Sequence, residues 1–368
     1  MTRLLPICAL ALAPTAWAGE LLDASLEDAF GGIRPETTAP IINGESAALD
    51  DYPMTGGLIM DAGAFGMNTR ATMCSSTLIA PDVVLLAGHC ADFLEALGLD
   101  PSILDYLDFY WSRQVDLSAY QMFGEVVDLP ADAVKASLIV APDEWDIQAL
   151  QIGLSENYDI ALMFLEEAVL DVPHAYLPTA EEAEQIVEGM EVAVVGWGQQ
   201  SQVDQGQQPP PGSVGIKMQG MSFISELADY EFKVGEIESD VRKCHGDSGG
   251  PSFAWFDAET VETMRLIGVT SHAYDTTDCR ETGGVDTRVD YYLDWIDASM
   301  RAACEDGTRV WCDEPGIVYA PFPEPEEEEE EEIIEDEEVA GGCACSAAPG
   351  MSFSLLGLLP ILALRRRK

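Results

Sequence analysis

The feature that most constrains this chain is a recurrence of short apolar, β-branched runs separated by turns rich in Gly, Pro and Asp. Residues 77–79, 192–195 and 266–270 are examples. Such runs are too short for stable helices and have the length and composition of strands. The expected class is therefore all-β. One stretch departs from it: Val289, Tyr292, Leu293, Ile296 and Met300 recur at helical spacing near the end of this region. A smaller helical insertion is expected within residues 91–117, where Phe93, Leu94 and Leu97 are followed by Ile103, Leu104 and Leu107. Residues 198–215, rich in Gln and Pro, read as a loop.

Charge narrows the function. The chain carries 18 Lys+Arg against 66 Asp+Glu, a formal charge of −48. Nucleic acid is excluded as a partner, because binding it needs a cationic surface that displaces counterions. Twelve of the acids lie in residues 324–338, but the rest of the chain is itself acidic. No carboxylate spacing resembles an EF-hand loop, so no metal or cofactor is expected.

The two ends read as targeting segments. Residues 1–18 have the order of a secretory signal: Arg3, an apolar stretch over residues 4–14, then Ala16-Trp17-Ala18 as a small-x-small cleavage site. Residues 19–40 follow as a pro-segment. At the other end, residues 304–320 form an extension that a disulfide would close. Residues 321–340 are an acidic Pro/Glu linker, extended by its own repulsion. Residues 341–368 carry Cys343 and Cys345, an apolar segment and a terminal Arg365-Arg366-Arg367-Lys368 cluster. Small residues, an apolar tail and terminal bases suggest a sorting signal that is cut and exchanged for an anchor. This tail resembles the Gly-Cys-containing sorting tails of myxobacterial-type surface proteins. That resemblance implies processing near Cys343 and retention at the outer cell surface.

Between these ends lie four motifs. They are Ile41-Ile42-Asn43-Gly44; Cys74-Ser75-Ser76-Thr77 running on to Leu86-Ala87-Gly88-His89-Cys90; Asp159-Ile160-Ala161-Leu162; and Cys244-His245-Gly246-Asp247-Ser248-Gly249-Gly250-Pro251. A serine hydroxyl is a poor nucleophile near neutral pH unless a base takes its proton and an acceptor orients that base. His89, Asp159 and Ser248 supply those three roles. Together the motifs, in the order His, Asp, Ser, resemble the trypsin/chymotrypsin-like serine peptidase family over residues 41–303. The resemblance implies two six-stranded antiparallel β-barrels closed by a C-terminal helix, with the triad in the cleft between them. It implies an oxyanion hole from the Gly246 and Ser248 amides, and the pairs Cys74–Cys90 and Cys244–Cys279. Cys304 and Cys312 remain as a third pair. The substrates would be proteins or peptides, cut through an acyl-enzyme. A non-catalytic surface binding or adhesion protein on the same fold is the alternative.

The resemblance also implies activation by a cut that frees the Ile41 amine to pair with Asp247. Pro40 precedes Ile41, and the only base of the pro-segment is Arg34, followed by Pro35. A separate protease of non-tryptic specificity is thus expected to make the cut. The pocket expected to read the substrate includes Arg242, Lys243, Ser271, His272, Ala273, Gly284 and Asp286. Arg242 stands where trypsin-like members carry Asp, so cleavage after Lys or Arg is disfavoured. Two readings remain open. Arg242 receives an acidic side chain, or it is neutralised by Asp286 or turned toward Asp240, leaving a small or shallow neutral pocket.

Overall fold

The computed structural model describes residues 41–65, 69–96, 107–120, 126–199, 213–256, 263–274 and 283–320. All lie in one compact unit, Met1–Pro323; the second unit, Glu324–Lys368, lies outside the described residues. So do the signal and pro-segments, the linker and sorting tail, Cys279, residues 97–106 of the insertion and most of the 198–215 loop.

Among the described residues thirteen strands build the core. After the short β1 (Glu45–Ser46), six of them, β2 (Thr55–Asp61), β3 (Arg70–Ala80), β4 (Val83–Leu86), β5 (Asp108–Ser112), β6 (Val134–Val140) and β7 (Ala161–Leu165), close in the order β2-β3-β4-β7-β6-β5. A second set comprises β8 (Glu191–Gly196), β9 (Met218–Leu227), β10 (Glu231–Val234), β11 (Pro251–Trp255), β12 (Met264–Ala273) and β13 (Gly284–Arg288). They run β9-β10-β13-β12-β11-β8 and close through a β8–β9 pairing, with β1 added beside β9. Every pairing is antiparallel. Two closed six-stranded barrels thus match the expected architecture, and closure removes the exposed edges that a flat sheet would leave.

The expected runs fall in β3, β8 and β12. Strand periodicity explains how β8 serves two cores. Val192 and Val194 face one apolar cluster with Ile224, Phe232 and Ile267, while Ala193 and Val195 face the other, which extends through the first barrel. Among the described residues three α-helices accompany the strands: α1 (His89–Ala96), the one-turn α2 (Ala180–Ala183) and α3 (Leu293–Glu305). Of the expected helical insertion the described part is α1; residues 97–106 lie outside the described residues. α1 departs from helical geometry at Asp92, and Leu107 leads directly into β5. α3 buries Ile296, Met300 and Ala303, one face at helical spacing. Beyond it the Cys304–Cys312 disulfide is present, as is Cys74–Cys90 between β3 and α1. Cys244 is disulfide-bonded as well.

Candidate active site

Strand pairing brings the first two site residues together. β4 and β7 are adjacent, with Leu86 opposite Ala161. His89 therefore begins α1 just beyond the end of β4, and Asp159 lies just before the start of β7. The His89 amide donates to Asp159 Oδ1 at 2.9 Å, and His89 Nδ1 lies 2.8 Å from Asp159 Oδ2. Asp159 is fully buried and His89 is half-buried. Burial alone would push the imidazole pKa down, but the Asp159 charge and hydrogen bond outweigh it, with help from Asp92. The ring is held above its ordinary value. For Asp159 burial works upward, and the His89 charge and hydrogen bond, with a Ser271 hydrogen bond, bring it below the usual carboxylate range.

Ser248 comes from the second barrel. Its loop is a tight turn in which Gly250 N donates to Asp247 O at 2.8 Å. Gly246 and Gly249 adopt φ of 91° and 76°, in the left-handed region that glycine tolerates. The loop is fastened to the first barrel. Ser75 N donates to Ser248 O at 2.8 Å, and Ser75 Oγ donates to Gly246 O at 3.0 Å. A Cβ on Gly249 would lie 3.1 Å from Ala87 N, two residues before His89. Gly249 N also donates to Thr270 O at 2.7 Å, and the next residue, Ser271, donates to Asp159 Oδ2. Among the described residues no hydrogen bond joins Ser248 to the His89 ring, and none occupies the Gly246 or Ser248 amide. Nucleophile–base hydrogen bonds in free enzymes are often long and shorten when substrate is bound.

Asp247 points inward. Its carboxylate accepts from Cys244 N at 2.8 Å and Gly198 N at 2.9 Å, and burial pushes its pKa up to about 7. Ile41 is fully buried, and Ile42 pairs with Arg242, whose amide donates to Ile42 O at 3.0 Å.

Two expectations about the pocket change. Asp286 does not neutralise Arg242. It pairs with Lys243, whose Nζ lies 2.9 and 2.7 Å from the two carboxylate oxygens and 2.9 Å from Ser252 Oγ. Asp240 is not Arg242's partner through its carboxylate either, since that group accepts the Glu236 and Ile237 amides. Arg242 is fully buried and donates to the Glu238 carbonyl at 3.1 Å. Its aliphatic stem packs against Gly235, where a Cβ would lie 2.9 Å from Arg242 Cγ. The physical reason is reach: adjacent residues in extended backbone point to opposite sides, so only one of the two bases meets Asp286. Gly284 and Ala273 sit opposite each other on β13 and β12, as pocket walls would. Ser271, expected only as a wall, is a direct partner of Asp159. Nothing local in the sequence marks that role, because the two lie 112 residues apart.

Residues 117–296 match the Trypsin family model. The match contains Asp159 and Ser248, while His89 precedes it. Similar curated proteins agree. "Putative trypsin-6" of Homo sapiens is 26% identical over 69% of this chain and 92% of its own length. "Trypsin" of Saccharopolyspora erythraea is 26% identical over 71% of this chain and 99% of its own. "Tryptase" of Mus musculus is 26% identical over 61% and 77%. The likeness is to trypsin-like serine peptidases, at low identity.

Proposed function

We propose that this chain is an exported, surface-retained serine endopeptidase in which Ser248, His89 and Asp159 cleave peptide bonds through an acyl-enzyme. The observation that carries the reading is the two-point contact of Asp159 with the His89 ring and amide, beside a Ser248 loop bonded to β3, the strand paired with the β4 that leads to His89. His89 Nε2 removes the Ser248 proton as Oγ attacks the carbonyl carbon, then passes it to the leaving amine. Asp159 keeps the proton on Nδ1 and stabilises the imidazolium. The Gly246 and Ser248 amides receive the charge that develops on the carbonyl oxygen, each contributing about 3 kcal/mol in the transition state. Water then attacks the ester, with His89 again as base.

A small or neutral side chain before the scissile bond is favoured over Lys or Arg. The Lys243–Asp286 pair balances its own charge, and the buried Arg242 is turned to a backbone carbonyl. Neither Asp286 nor the Asp240 carboxylate partners Arg242, and its charge disfavours a basic side chain beside it. Activation at Ile41 by a separate protease, export through residues 1–18 and anchoring through the processed tail near Cys343 belong to the same proposal. The Ile41 amine would find in Asp247 a buried carboxylate with two amide partners, and among the described residues no salt bridge to it, which suits it to pair with a freed amine.

Ser248→Ala is the deciding test. The processed protein should hydrolyse a peptide library and react with a serine-directed phosphonate, and the variant should do neither. Equal behaviour of both would leave the non-catalytic binding protein as the better account.

A further inference from the structure

His272 follows Ser271 on β12, and both of its ring nitrogens are engaged. Nδ1 lies 2.9 Å from Ser271 Oγ, and Nε2 lies 3.1 Å from the Gly153 carbonyl oxygen. Ser271 Oγ is also within hydrogen-bond distance of Asp159 Oδ2. The protons of this chain can be counted. A carboxylate and a carbonyl only accept, and a serine hydroxyl has one proton to give. If Asp159 receives it, Ser271 Oγ can only accept from Nδ1. Gly153 likewise requires a proton on Nε2. All three contacts are satisfied together only by an imidazolium, and a neutral ring is one proton short.

The groups facing His272 are Asp159 from the loop before β7, His89 from α1 and Asp286 from β13. Burial acts first and disfavours the charged ring. The Gly153 carbonyl and the two carboxylates oppose this, His89 adds to it, and the result lies below the ordinary histidine value. At neutral pH the ring is neutral, and one of the three contacts must go without a proton.

We propose that His272 is a positioning residue that competes with Asp159 for the Ser271 proton, and so sets how much carboxylate charge is left for His89. With Nε2–H on Gly153, Nδ1 draws the Ser271 proton away from Asp159. The carboxylate then concentrates on His89. When the ring nitrogens are removed, or the ring is protonated, the hydroxyl returns to Asp159 and shares its charge. The effect on the rate rests on the peptidase reading; the effect on the His89 proton does not.

The test is an NMR titration of the His89 ring in the full chain, which has only 4 His, so each signal can be assigned by single substitution. His272→Phe keeps the ring shape and removes both nitrogens. It should lower the His89 midpoint by about half a pH unit, the scale of one hydrogen bond. Ser271→Ala removes the contested proton and should raise the midpoint or leave it in place. The double variant should follow Ser271→Ala. His272→Leu gives the same readout should the Phe variant not fold. An unchanged midpoint in His272→Phe, or an equal shift with and without Ser271, would overturn the proposal. In the processed protein the acid limb of kcat/KM should move with the His89 midpoint. Shifts in the titration without any hydrolysis would reject the peptidase reading and leave the proton competition standing.

Discussion

Glu231 lies on β10 with 1% of its surface exposed. Its carboxylate accepts from Ser155 N at 2.7 Å and from Asn157 Nδ2 at 2.9 Å. Asn157 is two residues before Asp159, so Glu231 ties the second barrel to the loop that orients His89. Burial pushes the carboxyl up to about 7, against its two amide partners and with added repulsion from Asp159 and Asp286. The folded value is above the unfolded one of 4.5. Its contribution to stability is therefore fully present below pH 4.5 and is lost as the pH rises through about 7. The loss is on the order of 3 kcal/mol. Glu231→Gln should flatten the fall in urea midpoint across that window. It should leave the acid plateau within about 1 kcal/mol of the parent's, because the protonated carboxyl present there offers one carbonyl oxygen, as the amide does. A variant whose midpoint falls as steeply as the parent's would show that another group drives the pH dependence. Asp247, raised to about 7 by the same cause, supplies a second fall of the same sign that survives in the variant.

At the scale of the element, the Ser248 loop depends on the close approach of two backbones. A Cβ on Gly198 would lie 2.5 Å from Asp247 N and 2.6 Å from Asp247 Cγ. Neither atom can give way, because the turn and its amide contacts hold both. Gly198→Ala should cost about 1–3 kcal/mol and at least about tenfold in peptide hydrolysis, the loss expected when one site donor shifts. Gly189→Ala is the comparison. It has φ of 84° but nothing within 4 Å of the added atom, so it should cost about 1 kcal/mol of backbone strain with activity intact. Equal activity in the two variants would remove the loop from the site. This element also marks what the sequence can and cannot disclose. The barrels were legible because strand periodicity is local, and His89, Asp159 and Ser248 could be singled out because each stands in a short local pattern. The partner of Lys243 was not legible, since Asp286 lies 43 residues away and Arg242 beside it was an equal candidate. Ser271 and His272 were read as pocket walls, because their bonds to Asp159 and Gly153 exist only once β12 is closed against the first barrel.

The whole molecule is joined at a third place, outside the cleft. Asp82, in the turn between β3 and β4, receives Arg309 through Nε at 3.1 Å and Nη2 at 2.7 Å on one oxygen. The Val310 and Trp311 amides bond the other oxygen at 2.9 and 2.8 Å. Both charged side chains are fully buried. Arg309 also donates to Pro315 O at 2.7 Å, inside the segment that follows the Cys304–Cys312 loop. The residues after α3 are thus fastened beneath the two strands that present His89, and belong to the folded body. Asp82→Ala would leave a buried guanidinium and two amides without their acceptor, a loss of about 3–5 kcal/mol. Asp82→Asn keeps one acceptor oxygen and should lose less. Because the turn carrying Asp82 is continuous with β4, unfolding should remain a single transition. Tryptophan fluorescence, which includes Trp311, should move together with far-ultraviolet circular dichroism in urea. An early fluorescence change in Asp82→Ala, with the circular dichroism midpoint unmoved, would instead make the extension a separately melting appendage and relieve Asp82 of its role in holding the barrels.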